Sequence, residues 1–133
     1  MLSRNKEHEL IMISIYDALI YIEMDEVFSV EAILEGVYML PYEDVPLFSK
    51  EVVIKSLSNI NNIKAICQNV MEGWKFDRRN AIERAIYLMS YTHYHLDEHA
   101  DKSVIIDVAV RLAKKYLDAD CYKFVNGVLD KVL

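Results

Sequence analysis

Three glycines and two prolines are all that this chain of 133 residues offers for tight turns. A many-stranded sandwich or barrel needs such residues at nearly every corner, whereas helices joined by short loops need few. With 53% of residues apolar and 27% charged, the chain can also bury a core. An all-α fold is therefore expected. The length fits one domain over residues 1–133, and no internal repeat, low-complexity tract or linker divides it.

Apolar spacing predicts about seven helices in two packed subgroups. The first runs from about Arg4 to Ile22, with Met12, Ile15, Tyr16 and Leu19 on one face and Arg4, Lys6 and His8 leading in. Cations at that end oppose the helix dipole and cost stability unless an anion neutralises them. Ser29 is placed to cap a short helix ending near Tyr38, and Pro41 and Pro46 bracket a loop. A helix over Leu47 to Leu57 breaks at Ser58 and Asn59. The next carries Ile60, Ile63, Cys67, Val70, Met71 and Trp74 on one face, and Asp77 is placed to cap a helix running to about Tyr94. The segment from Lys102 to Tyr116 has a wide apolar surface, which predicts a central position. The last helix is expected over Cys121 to Val132, capped by Asp118 or Asp120.

Several function classes are excluded by what the residues do not spell. No apolar run reaches the roughly 18 to 20 residues needed to span a bilayer, and Glu7, His8 and Glu9 stand where a signal peptide would be apolar, so the expected location is cytoplasmic. Cys67 and Cys121 have no metal-ligand or disulfide spacing and read as reduced packing thiols. His93, His95 and His99 with Asp97 and Glu98 form the one cluster with any likeness to ligand chemistry, but an HxxxH pair with no fixed third ligand is a weak signal, and no metal or cofactor is expected. GxSxG, P-loop and GxGxxG patterns are absent, so an enzyme is not expected.

The formal charge of −6 opposes nucleic-acid binding at first sight. Its distribution weakens the objection. Between Asp17 and Glu51 nine acids face one base, Lys50, whereas residues 52–133 hold twelve bases and ten acids. A basic surface built from the two ends of the chain is compatible with that pattern, and the acidic stretch could face a basic partner.

The C-terminal helix holds residues that helix stability alone would not select. Val125, Val128, Leu129 and Val132 make an apolar ladder around Asn126-Gly127, a pair that propensity would put in a turn. Close packing against another helix is the leading explanation for Gly127. The alternative is that it clears space beside the Asn126 amide for a ligand. Phe124 reads either as a core ring or as a flat surface for an unpaired base.

Those same residues carry a family resemblance. Asp120-Cys121-Tyr122-Lys123-Phe124-Val125-Asn126-Gly127-Val128-Leu129-Asp130 resembles the Asp-Ser-x-Lys-Phe-Val-Asn-Gly-Val-Leu-Asp pattern of the NusB family of bacterial transcription antitermination factors. Ala109 to Tyr116 is a second similar block. The third is Trp74-Lys75-Phe76-Asp77-Arg78 followed by Ile82-Glu83-Arg84-Ala85-Ile86. The resemblance spans nearly the whole chain. It departs at Asp107-Val108-Ala109 for the family's Asn-Glu-Ala, at Cys121 for Ser, and at Leu88 for a common Arg.

The resemblance implies an all-α fold of two helical subgroups that binds boxA-type single-stranded RNA together with NusE, a small-subunit ribosomal protein, and acts on RNA polymerase through that complex. By match to the family, Arg4, Lys6, His8, Tyr16, Asp120, Lys123, Phe124 and Asn126 are the expected RNA-binding residues, and Tyr16 and Glu83 the expected partner-binding ones. The N-terminal basic motif is depleted, reading Arg4, Asn5, Lys6 and His8, which implies weaker and less salt-dependent RNA binding than an arginine-rich member shows. The reading requires the amino-terminal arm and the C-terminal segment to share one face. Its rivals are a protein scaffold that docks a basic partner on the acidic surface, and kinship to the targeting domain of RNA cytosine methyltransferases; for the latter, no catalytic domain is expected after Leu133.

Overall fold

The computed structural model describes residues 2–98 and 100–133. Seven α-helices are present among them: α1 Arg4–Glu23, α2 Val30–Tyr38, α3 Leu47–Ser58, α4 Ile60–Gln68, α5 Ala81–Tyr91, α6 Lys102–Tyr116 and α7 Cys121–Val132. Short 3-10 turns cover Tyr42–Asp44 and Phe76–Arg78, and a π-helical turn, Thr92–Leu96, extends α5. No strand occurs among the described residues. The fold is all-α, as its turn-poor composition requires.

Helices α1–α3 form one group and α4–α7 the other, with α1 laid along α5 to join them. Every residue from Glu83 to Ser90 on α5 is buried, and the helix meets α1, α3, α4, α6 and α7. The central element is thus α5, not α6. Helix α6 buries only the stripe Ile105, Val108, Ala109, Leu112 and Ala113, and exposes Asp107, Arg111, Lys114 and Lys115. An apolar cluster containing Ile11, Ile15, Leu34, Val52, Ile63, Ile86, Leu112 and Leu129 runs through both groups.

Local capping explains where the boundaries fall. Ser3 and Ser29 accept from the backbone N–H groups of Lys6 and Ala32 at 3.1 and 3.2 Å, satisfying two of the orphan donors at the starts of α1 and α2. Asn80, not Asp77, caps α5, accepting from the Ile82 N–H at 2.8 Å. Asp77 instead forms an ion pair with Lys64. Asp120 holds the N-cap position of α7 in the left-handed region, φ 72°, without a side-chain cap bond.

Helix α4 stops at Gln68, short of where its apolar period would carry it. The Gln68 amide donates to the Trp74 carbonyl at 2.7 Å and accepts from the Phe76 N–H at 2.9 Å, while Gly73 turns the chain at φ 75°. Trp74 therefore leaves the inner face and is 54% exposed. Gly127 also departs from expectation. It lies on the exposed side of α7, and a Cβ there would meet nothing within 4 Å, so no neighbouring helix demands a glycine.

Candidate nucleic-acid interface

The start of α1 carries its cations already neutralised. The Arg4 guanidinium sits 2.9 Å from Glu98 and 3.9 Å from Glu7, and Lys6 lies 3.1 Å from Glu9. These carboxylates offset the unfavourable meeting of positive charge with the helix dipole. Arg4 also lies 3.9 Å above the ring of Phe48 on α3. His8 is withdrawn from this surface. Only 5% exposed, it packs edge-on against Phe48 at 5.8 Å and lies 5.3 Å from His93. Burial, then the neighbouring His93, Arg4 and Arg111, push its pKa down to about 4. The ring is thus a neutral core group, and the expectation that His8 contacts RNA is corrected.

Helix α6 links this end of α1 to α7. Arg111 donates to Asn5 at 2.9 Å, and Glu9 accepts from Lys115 and from the Tyr116 hydroxyl, each at 2.6 Å. Those two donors hold the Glu9 carboxyl down at about 2. On its other flank α6 places the Lys114 ammonium 4.5 Å from the ring of Tyr122 on α7. Helix α6 thus contacts both the amino-terminal arm and the start of α7, through separate sets of side chains. Arg111, Lys114 and Lys115 on α6 and Lys123 on α7 are exposed.

At the start of α7, Asp120 and Lys123 are exposed and 3.5 Å apart, and Asn126 is exposed one turn further on. Phe124 is half-buried. The Arg79 guanidinium lies 4.1 Å from its ring centroid and 4.9 Å from that of Trp74, and the two rings meet edge to face at 5.9 Å. Arg79 is held from below by Glu83 at 2.8 Å. The same carboxylate accepts from the Tyr87 hydroxyl at 2.5 Å and from the Cys121 thiol at 3.3 Å. Burial and the Glu83 charge push the Cys121 thiol up to about 11, which keeps it a neutral donor. Glu83 itself is 1% exposed. The expected partner contact is corrected: Glu83 is the buried anchor of Arg79.

A cleft of about 360 Å³ opens beside this cluster, walled by Arg78, Arg79, Asn80, Tyr116 and Asp118. Tyr16 is half-buried, midway along α1 and against the core. Trp74 and Arg79 were not among the residues expected from sequence. The signal for them was the clustering of Lys75, Arg78 and Arg79 around the single tryptophan, which an inward assignment of that ring obscured.

The histidine cluster does not converge. His93 is buried against His8 and Phe48, His95 lies 3.0 Å from the Val132 carbonyl, and His99 is outside the described residues. No group of three metal-ligating side chains occurs among the described residues, nor any helix long and apolar enough to cross a membrane.

The NusB family model matches residues 40–133. Among curated relatives, the transcription antitermination protein NusB of Treponema denticola is 35% identical over 86 residues, covering 65% of this chain and 63% of that protein. The NusB proteins of Borreliella burgdorferi and of an Exiguobacterium species are 30% and 31% identical, covering 83% and 84% of this chain and 78% and 81% of theirs. The fold superposes on Thermotoga maritima NusB with TM-score 0.81 at 23% identity, covering 98% of this chain and 90% of that one. A chain in the crystal structure of a plectonemic RNA supercoil gives TM-score 0.79 at 22% identity, covering 99% of this chain and 94% of that one. The chain belongs to the NusB family, whose curated relatives here are transcription antitermination proteins.

Proposed function

We propose that this chain is a non-enzymatic antitermination factor of the cytoplasm that binds boxA-type single-stranded RNA together with NusE and reaches RNA polymerase through that complex. The observation that carries the reading is that α6 contacts both ends of the chain, through Arg111 to Asn5 and Lys115 to Glu9 on α1 and through Lys114 to Tyr122 on α7, which supports both ends addressing one ligand. Arg4, Lys6 and Lys123 would meet phosphates. Phe124, Tyr16, Asn126 and Asp120 would contribute stacking and polar contacts, with Tyr16 also on the NusE side. Because Arg4 and Lys6 are already paired with carboxylates, they release few counterions, which supports weak salt dependence. NusE would raise the combined affinity by holding two modest sites together.

The test measures binding of a boxA-like RNA with and without the cognate NusE. Cooperative binding is expected. NusE binding with no RNA affinity in either case would overturn the reading in favour of a protein scaffold. One observation favours that second reading: a cleft of about 450 Å³ between α1 and α2 is lined by Tyr21, Phe28, Val37 and Asp17. Asp17 has no ion pair among the described residues, and burial raises its pKa, so a basic partner would find an unused carboxylate there.

A further inference from the structure

We infer that Trp74 is the base-stacking platform of this chain: an unpaired RNA base lies on its open face, while Arg79 and Phe124 brace the indole from behind. This rests on the RNA-binding reading and names a subsite within it. Phe124, the ring expected to stack, has the guanidinium of Arg79 over it at 4.1 Å and is half-buried. Trp74 is 54% exposed and lines a groove of about 580 Å³ with Gln68, Gly73 and Lys75. The apolar period of α4 points that indole inward, yet the loop after Gly73, held by Gln68, keeps it outward.

The ring is fixed before any ligand arrives. Gln68 bonds the backbone at Trp74 and at Phe76, Arg79 lies 4.9 Å from the indole centroid, and Phe124 abuts it at 5.9 Å. A braced aromatic surface binds with little loss of rotamer freedom. An apolar patch alone would suit a protein as well, but the surroundings favour nucleic acid. Lys75 and Arg78 are exposed and have no ion pair among the described residues, and Lys123 is exposed on the adjoining helix. Flat ring and free cations together match an unstacked base and its flanking phosphates. Arg79 has a different role. Its charge is matched by Glu83 at 2.8 Å, so it braces the stack and releases no counterion.

Trp74 is the single tryptophan, so its emission reports this subsite alone. Unlabelled single-stranded boxA-like RNA is titrated into the full chain while emission is read. Anisotropy of the same RNA carrying fluorescein gives affinity over a salt series, with NusE absent and present. Emission is expected to change in step with binding. Trp74→Ala should weaken binding on the order of tenfold with an unchanged salt slope, and Trp74→Phe should recover part of the loss. Lys75→Ala, which removes an exposed cation with no ion pair among the described residues, should instead lower the slope by about 0.7. RNA binding with unchanged emission, or with Trp74→Ala folded and binding like the parent, overturns the platform and leaves the RNA reading standing. An emission change on adding NusE without RNA overturns it in favour of a protein contact. No RNA binding to the parent chain under any condition overturns both.

Discussion

Two clusters in this molecule set an arginine against a phenylalanine ring, and they put the same contact to opposite uses. Arg4 lies 3.9 Å from Phe48 and Arg79 lies 4.1 Å from Phe124. Around Phe48 the other members, His8 and His93, are buried, so the cluster ties α1, α3 and the turn after α5 together. Around Phe124 the other member is Trp74, which faces solvent. The nearer counterions differ in the reverse sense: Glu98, 2.9 Å from Arg4, is exposed, whereas Glu83 beneath Arg79 is sealed in. In this molecule the cation–aromatic pair whose nearer carboxylate is exposed closes a core, and the one whose carboxylate is buried supports a surface.

Breaking the outer cluster at its anchor has the largest expected effect. Glu83→Ala leaves Arg79 largely covered without a counterion and strips the Tyr87 hydroxyl of its acceptor, so a loss of about 3–5 kcal/mol is expected in urea unfolding. Trp74 emission should shift with it. A loss below about 1 kcal/mol would show that water replaces the anchor. The inner cluster should betray itself through pH. The folded His8 pKa, about 4, lies below its ordinary 6.5, so its neutral ring contributes stability that is complete above 6.5 and is lost as pH falls towards 4. His8→Phe should flatten stability over that window by up to about 3 kcal/mol, read by unfolding at several pH values. An unchanged slope would show that His8 does not carry the acid sensitivity of this window; the depressed Glu9 carboxyl stabilises above its ordinary 4.5 and loses that contribution only below it, towards 2.

Arg4→Ala removes an ion pair that is half in solvent and should cost only about 1 kcal/mol. A much larger loss would mean that the guanidinium over Phe48 carries packing as well as charge. The smallest effect is a gain. Gly127→Ala fills open space on an exposed helix face and should stabilise the chain by about 0.5–1 kcal/mol. Weaker RNA binding in that more stable variant would show that a ligand approaches the backbone there.

Helix number, the Ser29 cap, the break at Asn59 and the span of α6 and α7 were legible because each depends on neighbours along the chain. The errors arose where a partner distant in sequence decided the outcome. Trp74 continued an inward period, and the bonds of Gln68 across the turn ended it. Glu83 read as a surface charge, but Arg79, Tyr87 and Cys121 supply three donors to it in the interior. His8 was grouped with Arg4 and Lys6 by charge, although its spacing to Ile11, Met12 and Ile15 puts it in phase with the core. Weighting period above charge would have found it. The candidate surface was legible at α7 and through α6 only by resemblance, since nothing local shows that Arg111 reaches Asn5.

The amide of Gln68 works as a door hung on two hinges. Its nitrogen gives a hydrogen to the Trp74 carbonyl and its oxygen takes one from the Phe76 N–H, pinning the chain just after the turn at two points with one side chain. Gln68→Glu would keep the hinge at Phe76 and lose the one at Trp74, leaving the indole free to swing while every charge on the cationic face stayed in place.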